Sequence, residues 1–291
     1  MATLAQWLEG ARPRTLFLAL SPVVAGTGVA AYDASPVWGR AALALIVALA
    51  LQVGVNFAND YSDGVRGTDA DRVGPLRLVG SGAARPRAVL GAALACFVVA
   101  AAAGVVLAAS ASWWLLLVGA LAIAAAWFYT GGGRPYGYRG LGELAVFVFF
   151  GLVAVGGTAY VQTGRITGTT VLVAVPVGLL ACAVLVANNL RDIPGDERAG
   201  KRTLAVLLGD RGTRWLYEVL VVVPFVFVLV LGDTGHGPPF IALAAAPLAL
   251  GAATPVHTGA TGRDLIPTLR NTGLLSLAFA VLLAVGVGIA S

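Results

Sequence analysis

The chain has 291 residues, of which 58% are hydrophobic and only 11% charged, with a formal net charge of +5. A water-soluble domain of this length needs far more polar surface, so the composition excludes one and points to a polytopic membrane protein in a lipid bilayer. The positive balance does not indicate nucleic acid, because the basic residues are spread over the connections between apolar runs.

Apolar windows predict nine helices, near 15–32, 40–57, 88–108, 112–130, 141–161, 170–189, 214–232, 239–254 and 271–290. Many spans follow the first, so an uncleaved first helix fits the N-terminus better than a signal peptide. That helix opens on "GARPRTL", residues 10–16. Anchoring to the membrane surface accounts for Arg12 and Arg14, and Arg12 is also a candidate for binding an acidic substrate.

The second helix ends in "NFANDYSDGVRGTDADR", residues 56–72, which packs Asp60, Asp63, Asp69 and Asp71 together after an uncharged run. Asn56, Asp60 and Asp63 lie at i, i+4 and i+7 and share a face if the helix runs that far. Gly64 and Gly67 are expected to end it, so that Asp69 returns from a loop and Asp71 belongs to the solvated part. Between the fourth and fifth helices, "YTGGGRPYGYRG" (129–140) has a glycine run that lets backbone approach a ligand, then Arg134 and two tyrosines.

The sixth helix ends in "VANNLRDIPGDERAGKRT". Asn188, Asp192 and Asp196 lie at i, i+4 and i+8, with Pro194 expected to kink or end the helix. The two Asn–Asp motifs stand four helices apart, consistent with one domain over 1–291 carrying a weak parallel repeat of helices 1–4 and 5–8. The connections near 64–87 and 190–213 are expected to be long, ordered, functional loops. Cys96 and Cys182 sit in apolar runs and are expected to be buried small residues. His236 and His257 fall in different loops, which argues against a histidine metal site. Trp7, Trp38, Trp113 and Trp114 fall where interfacial aromatic residues are expected.

With nine helices, 17 of the 19 basic residues fall on one side, leaving only Arg40 and Arg165 on the other. The positive-inside rule makes that side, with the N-terminus and both aspartate motifs, cytoplasmic. Carboxylates at a membrane boundary are costly and crowded ones repel, so something must compensate them. Mg²⁺ suits the role: it prefers oxygen ligands and uses one or two carboxylates together with substrate phosphates. Nearby Arg and Lys would take the remaining phosphate oxygens.

These residues resemble the UbiA superfamily of intramembrane aromatic prenyltransferases. "NDYSDGVRGTD" resembles its first aspartate motif, with Asp69 further out than the usual N-D-x-x-D-x-x-x-D, and "RDIPGD" resembles its second. "ANDYSDGVRGTDADRVGP", "YTGGGRPYGYRGLGELAVFVFFG" and "VANNLRDIPGDERAGKRTLAVLLGD" are similar to the branch acting on 1,4-dihydroxy-2-naphthoate in menaquinone synthesis. Arg134 stands where that branch more often has lysine.

The resemblance implies an all-α bundle of nine transmembrane helices with a cytoplasmic loop cap over the active site, in a bacterial plasma membrane. It implies Mg²⁺-dependent transfer of a polyprenyl group from its diphosphate to 1,4-dihydroxy-2-naphthoate, with decarboxylation. Asp60, Asp63, Asp192 and Asp196, with Asp69, would hold the metal. Asn59, Arg72, Arg134, Asn189 and Lys201 would contact or position the diphosphate. Arg12, Asn56 and Asn188 would bind the acceptor. A homo-oligomer is compatible with the pattern. A prenyltransferase for another acceptor, such as 4-hydroxybenzoate, is the near rival; an ion-coupled transporter is the remote one, since its carboxylates should lie at mid-membrane.

Overall fold

The computed structural model describes residues 2–68, 76–233 and 238–289; Asp69, Asp71, Arg72 and His236 lie outside the described residues. Among these residues every regular element is helical. A short α1 (Leu4–Gly10) and a 3-10 turn (Pro13–Thr15) lead into α2 (Phe17–Asp33), α3 (Trp38–Arg66), α4 (Pro86–Ser110) and α5 (Leu115–Phe128). There follow α6 (Gly142–Thr163), α7 (Gly168–Arg198), α8 (Leu204–Asp233), α9 (Pro239–His257) and α10 (Gly262–Gly288). Helices satisfy their own backbone hydrogen bonds, which is the condition for crossing hydrocarbon.

Among the described residues, seven helices are long and apolar enough to cross a membrane. The number is eight if the α1 segment and α2, bent by 47° against one another, form one span, while α5 is a shorter apolar helix. Exposed Val98, Val105, Leu117, Leu121, Val222 and Leu250 turn an apolar surface outward, as lipid requires. In α7, 72% of the apolar window is buried, against 28 to 50% in the other spans, so α7 is the central post of the bundle. Glycine lets α6 cross it closely: a Cβ on Gly151 would meet Gly178 Cα at 2.8 Å. Beside that crossing α6 adopts a π-helical stretch, Phe147–Val153.

The structure departs from the expected boundaries where polar residues stay helical. Gly64 does not end α3; it admits the following turn, since a Cβ there would fall 2.4 Å from Val79 Cγ1. The helix stops at Gly67, whose φ of 72° forms the left-handed cap. Pro194 does not end α7, which continues to Arg198. The expected long loop 190–213 is therefore mostly helix: α8 begins at Leu204 and bends at Gly209 (φ 69°). Asp60, Asp63, Arg191 and Asp192 are buried against other polar groups, so hydropathy gave no sign that these turns stay helical.

Arg40, at the start of α3, donates to the backbone carbonyls of Val161 (2.8 Å) and Ser110, and Arg165 donates to that of Asp33. They satisfy carbonyls left over at helix ends. Both aspartate motifs lie at the opposite ends of their helices. There α1 and the 76–85 turn pack over α3: Leu76 N–H donates to Glu9 Oε1 (3.2 Å), and Trp7 meets Phe57 edge-on at 5.6 Å.

Candidate active site

A cavity of about 850 Å³ runs from the motif end into the bundle. Its deep walls are apolar: Val23 of α2, Val47 of α3, Leu107 of α4, Val118 and Ala122 of α5, and Phe149 and Phe150 of α6. Its outer end is polar and charged, and α3 and α7 supply most of that chemistry.

At 3.6 residues per turn, Gln52, Asn56, Asn59 and Asp63 fall within an arc of about 60°, while Asp60 points about 70° away from its centre. The structure follows this geometry. The four stripe residues line the cavity. Asp60 lies beside it, 1% exposed, and its two oxygens accept hydrogen bonds from the backbone N–H groups of Leu78 (2.7 Å) and Val79 (2.9 Å). Asp60 thus pins the 76–85 turn, and that turn carries Arg77.

Asp63 is the hub of the polar end. It accepts a hydrogen bond from the Tyr138 hydroxyl, faces Arg77 Nη2 at 3.4 Å and Lys201 Nζ at 3.4 Å, and is 3% exposed. Lys201 also lies 3.9 Å from Asp196, so one ammonium joins the two motifs. It sits 4.6 Å from the centre of the Tyr138 ring, a favourable cation–π distance. Burial, and then the Asp63 charge, push the Tyr138 phenol well above its ordinary pKa, and burial pushes Tyr136 to about 12. Tyr138 is therefore a proton donor at neutral pH.

On α7, Arg191 grips Asp192 through Nε (2.7 Å) and Nη2 (2.8 Å) and also donates to Asn188 Oδ1 at 2.9 Å. Asn189 donates to the buried carboxyl of Glu143 (2.9 Å), and Asn59 accepts from Thr130 Oγ1 (2.7 Å). Asn188, Asn189, Asp192 and Asp196 all line the cavity. The glycine loop is held by Arg66, which donates to the carbonyls of Thr130 and Gly132. This leaves Arg134 exposed at the loop tip and outside the cavity wall. Arg12 lines the mouth with φ 56°, left-handed backbone rare for a non-glycine residue and a mark of functional sites.

The structure thus brings Asn56, Asn59, Asp63, Asn188, Asn189, Asp192, Asp196, Lys201 and Arg12 to one cavity. Sequence reasoning passed over Arg77, Arg191 and Gln52, and took Tyr138 only as one of the two tyrosines after the glycine run. Of these, Gln52 carried a usable signal: a lone polar residue in an apolar run, one helical turn before Asn56. Among the described residues no three His, Cys, Asp or Glu side chains form a ready-made metal cage. The metal-ligating side chains of the cavity wall offer only oxygen, from the carboxylates of Glu9, Asp63, Asp192 and Asp196 and from several amides. That fits a hard cation completed by substrate phosphates rather than a metal held by protein alone.

An apolar cavity closed by charged groups, inside a helical bundle with a lipid-facing surface, defines an integral membrane protein shaped for an amphiphile with an anionic head. The model of the UbiA prenyltransferase family matches residues 19–269, and the chain belongs to this family. It is 59% identical over 286 residues to the 1,4-dihydroxy-2-naphthoate octaprenyltransferase of Mycobacterium tuberculosis, covering 98% of this chain and 97% of that protein. The fold matches a UbiA homolog from Aeropyrum pernix with a TM-score of 0.70 at 18% identity, over 94% of this chain and 97% of that one. It also matches a UbiA homolog from Archaeoglobus fulgidus bound to DMAPP and Mg²⁺, with a TM-score of 0.64 at 16% identity, over 96% and 99% of the two chains.

Proposed function

We propose that the chain transfers a polyprenyl group from polyprenyl diphosphate to 1,4-dihydroxy-2-naphthoate, with release of diphosphate and carbon dioxide. The observation that carries this reading is the single cavity in which an apolar channel meets Asp63, Asp196 and Lys201. The near full-length similarity to a naphthoate octaprenyltransferase supports the choice of acceptor.

The isoprenoid tail lies along Val23, Val47, Leu107 and Phe150, and its diphosphate faces Lys201, Arg77 and Arg191. Asp63, Asp192 and Asp196 would hold Mg²⁺, which when bound neutralises charge on the departing diphosphate. Asp60 serves this reading through the turn it fixes, since it lies off the cavity wall with its oxygens on the Leu78 and Val79 amides. Asp69 and Arg72 extend the same set as proposed metal and diphosphate contacts, and Arg134 reaches the diphosphate only if the loop tip folds inward.

As the allylic carbon–oxygen bond breaks, its electron pair leaves with the diphosphate, and the three cations stabilise that charge where it develops. Tyr138 holds Asp63 by a neutral donor that does not compete for the charge. Apolar walls keep water from the allylic cation. The electron-rich ring forms the new carbon–carbon bond, and the ring–carboxylate bond breaks with its electrons kept by the ring. Asn59, Asn188 and Asn189 keep the polar wall in register, and Arg12 with Asn56 faces the acceptor.

The same reading makes the chain one domain of nine spans, counting the bent first pair and α5, with the motif end cytoplasmic and covered by α1, 76–85 and 129–141. The test is turnover: protein in detergent with Mg²⁺ and polyprenyl diphosphate should consume dihydroxynaphthoate, and turnover on 4-hydroxybenzoate alone would replace the acceptor.

A further inference from the structure

Three side chains at the acceptor end lock one another and leave a single atom over. Thr15 donates its hydroxyl proton to the backbone carbonyl of Arg12 at 2.9 Å, so towards other groups Thr15 Oγ1 can only accept. Asn56 therefore turns its nitrogen to it: Nδ2 donates to Thr15 Oγ1 (3.0 Å) and to the Ala11 carbonyl (2.9 Å). Gln52 must do the same, and its Nε2 donates to Thr15 Oγ1 (3.2 Å) and Asn56 Oδ1 (3.4 Å). Every donor in the triad is used, and the Ala11 carbonyl and Thr15 Oγ1 together set which end of each amide is the nitrogen. Gln52 Oε1 remains, with no hydrogen-bond partner among the described residues, on a side chain 5% exposed in the cavity wall.

A buried carbonyl oxygen without a donor is unfavourable, and the soft terminal torsion of glutamine lets an arriving donor reach it without moving α3. None of the described residues supplies that donor, which leaves a molecule that enters the cavity. An ionised polyprenyl diphosphate carries acceptor oxygens and hydrocarbon but no donor, and a carboxylate likewise only accepts. A ring hydroxyl of the aromatic acceptor is the donor the two substrates can supply. We propose that Gln52 Oε1 accepts a hydrogen bond from one hydroxyl of the acceptor ring, making Gln52 a specificity residue for hydroxylated acceptors. The inference rests on the naphthoate reading above. Drawing the O–H proton towards Gln52 also raises electron density on the ring at the moment it attacks.

The test uses purified full-length protein in detergent with Mg²⁺ and saturating polyprenyl diphosphate. Inhibition constants are measured for 1-hydroxy-2-naphthoate and 4-hydroxy-2-naphthoate, each lacking one ring hydroxyl, against the KM of dihydroxynaphthoate. One of the two acids should bind about five- to tenfold more weakly than the other, the loss of one neutral hydrogen bond. In Gln52→Met, which keeps length and removes the acceptor oxygen together with the Nε2 donor to Thr15 and Asn56, that difference should vanish. The KM for polyprenyl diphosphate and the Mg²⁺ dependence should stay as they were. A difference that persists in the variant overturns the proposal, and so does a changed Mg²⁺ dependence, which would place the oxygen on a metal-bound water. If Gln52→Met does not fold, the unsubstituted protein decides: equal binding of both monohydroxy acids overturns it. Failure of the unsubstituted protein to turn over dihydroxynaphthoate would instead overturn the acceptor assignment itself.

Discussion

Asp60→Asn separates a structural carboxylate from a metal-binding one. Asp60 is 1% exposed and accepts backbone N–H groups at 2.7 and 2.9 Å. Hydrogen bonds to a charged acceptor contribute about 1.5–3 kcal/mol each. Asparagine keeps one oxygen and turns an NH₂ towards the other N–H, so one of the two bonds is lost and a donor faces a donor. The expected cost is about 2–3 kcal/mol, which lowers the melting temperature by roughly 5–10 °C for a domain of this size. The turn that loosens carries Arg77, so the KM for polyprenyl diphosphate should rise while the half-saturating Mg²⁺ concentration stays put. Thermal melting in detergent and a Mg²⁺ titration of initial rates read the two effects separately. Unchanged melting with a manyfold higher Mg²⁺ requirement would refute the anchoring role and make Asp60 a ligand.

Lys201→Met removes the ammonium shared by Asp63 and Asp196. Turnover should fall about a hundredfold, as for loss of one charge-stabilising donor, while Mg²⁺ half-saturation falls because the carboxylates lose a competitor; steady-state kinetics at varied Mg²⁺ checks both. Arg191→Gln leaves Asp192 without its bidentate partner in a site where the two are 5% and 9% exposed. Stability should drop by about 3 kcal/mol and recover in part on adding Mg²⁺ with diphosphate, seen as a ligand-dependent melting shift. Tyr138→Phe keeps the ring under Lys201 and loses the donor to Asp63, so turnover should drop roughly ten- to a hundredfold, the loss of one hydrogen bond to a charged acceptor. Because the folded pKa of Tyr138 is raised, its contribution is constant below the ordinary tyrosine value near 10 and is lost as pH rises beyond it. The melting temperature of the parent should therefore fall more steeply than that of Tyr138→Phe between pH 10 and 11.

Hydropathy made the apolar helices legible, because lipid imposes it and it needs no tertiary information. The ends of α3 and α7 were not, since a polar helical turn facing a buried site has the composition of a loop: Asp192, Asp196 and Pro194 are all helical. The site was legible as residue types and spacing. Partners were less so, because Arg77 and Tyr138 reach Asp63 from 14 and 75 residues away along the chain. The pairing of Asp60 with the Leu78 and Val79 amides depends on a turn that no periodicity announces. Gln52 could have been found by extending the Asn56–Asp63 stripe one turn backward into the apolar run.

The most direct test of the central claim is product analysis by mass spectrometry after a single turnover with Mg²⁺, polyprenyl diphosphate and carboxyl-labelled dihydroxynaphthoate. The account predicts a prenylated, decarboxylated naphthalenediol, one diphosphate and labelled carbon dioxide in equal amounts, all abolished by Asp63→Asn. Product that keeps the carboxylate, or undiminished product from Asp63→Asn, would contradict it.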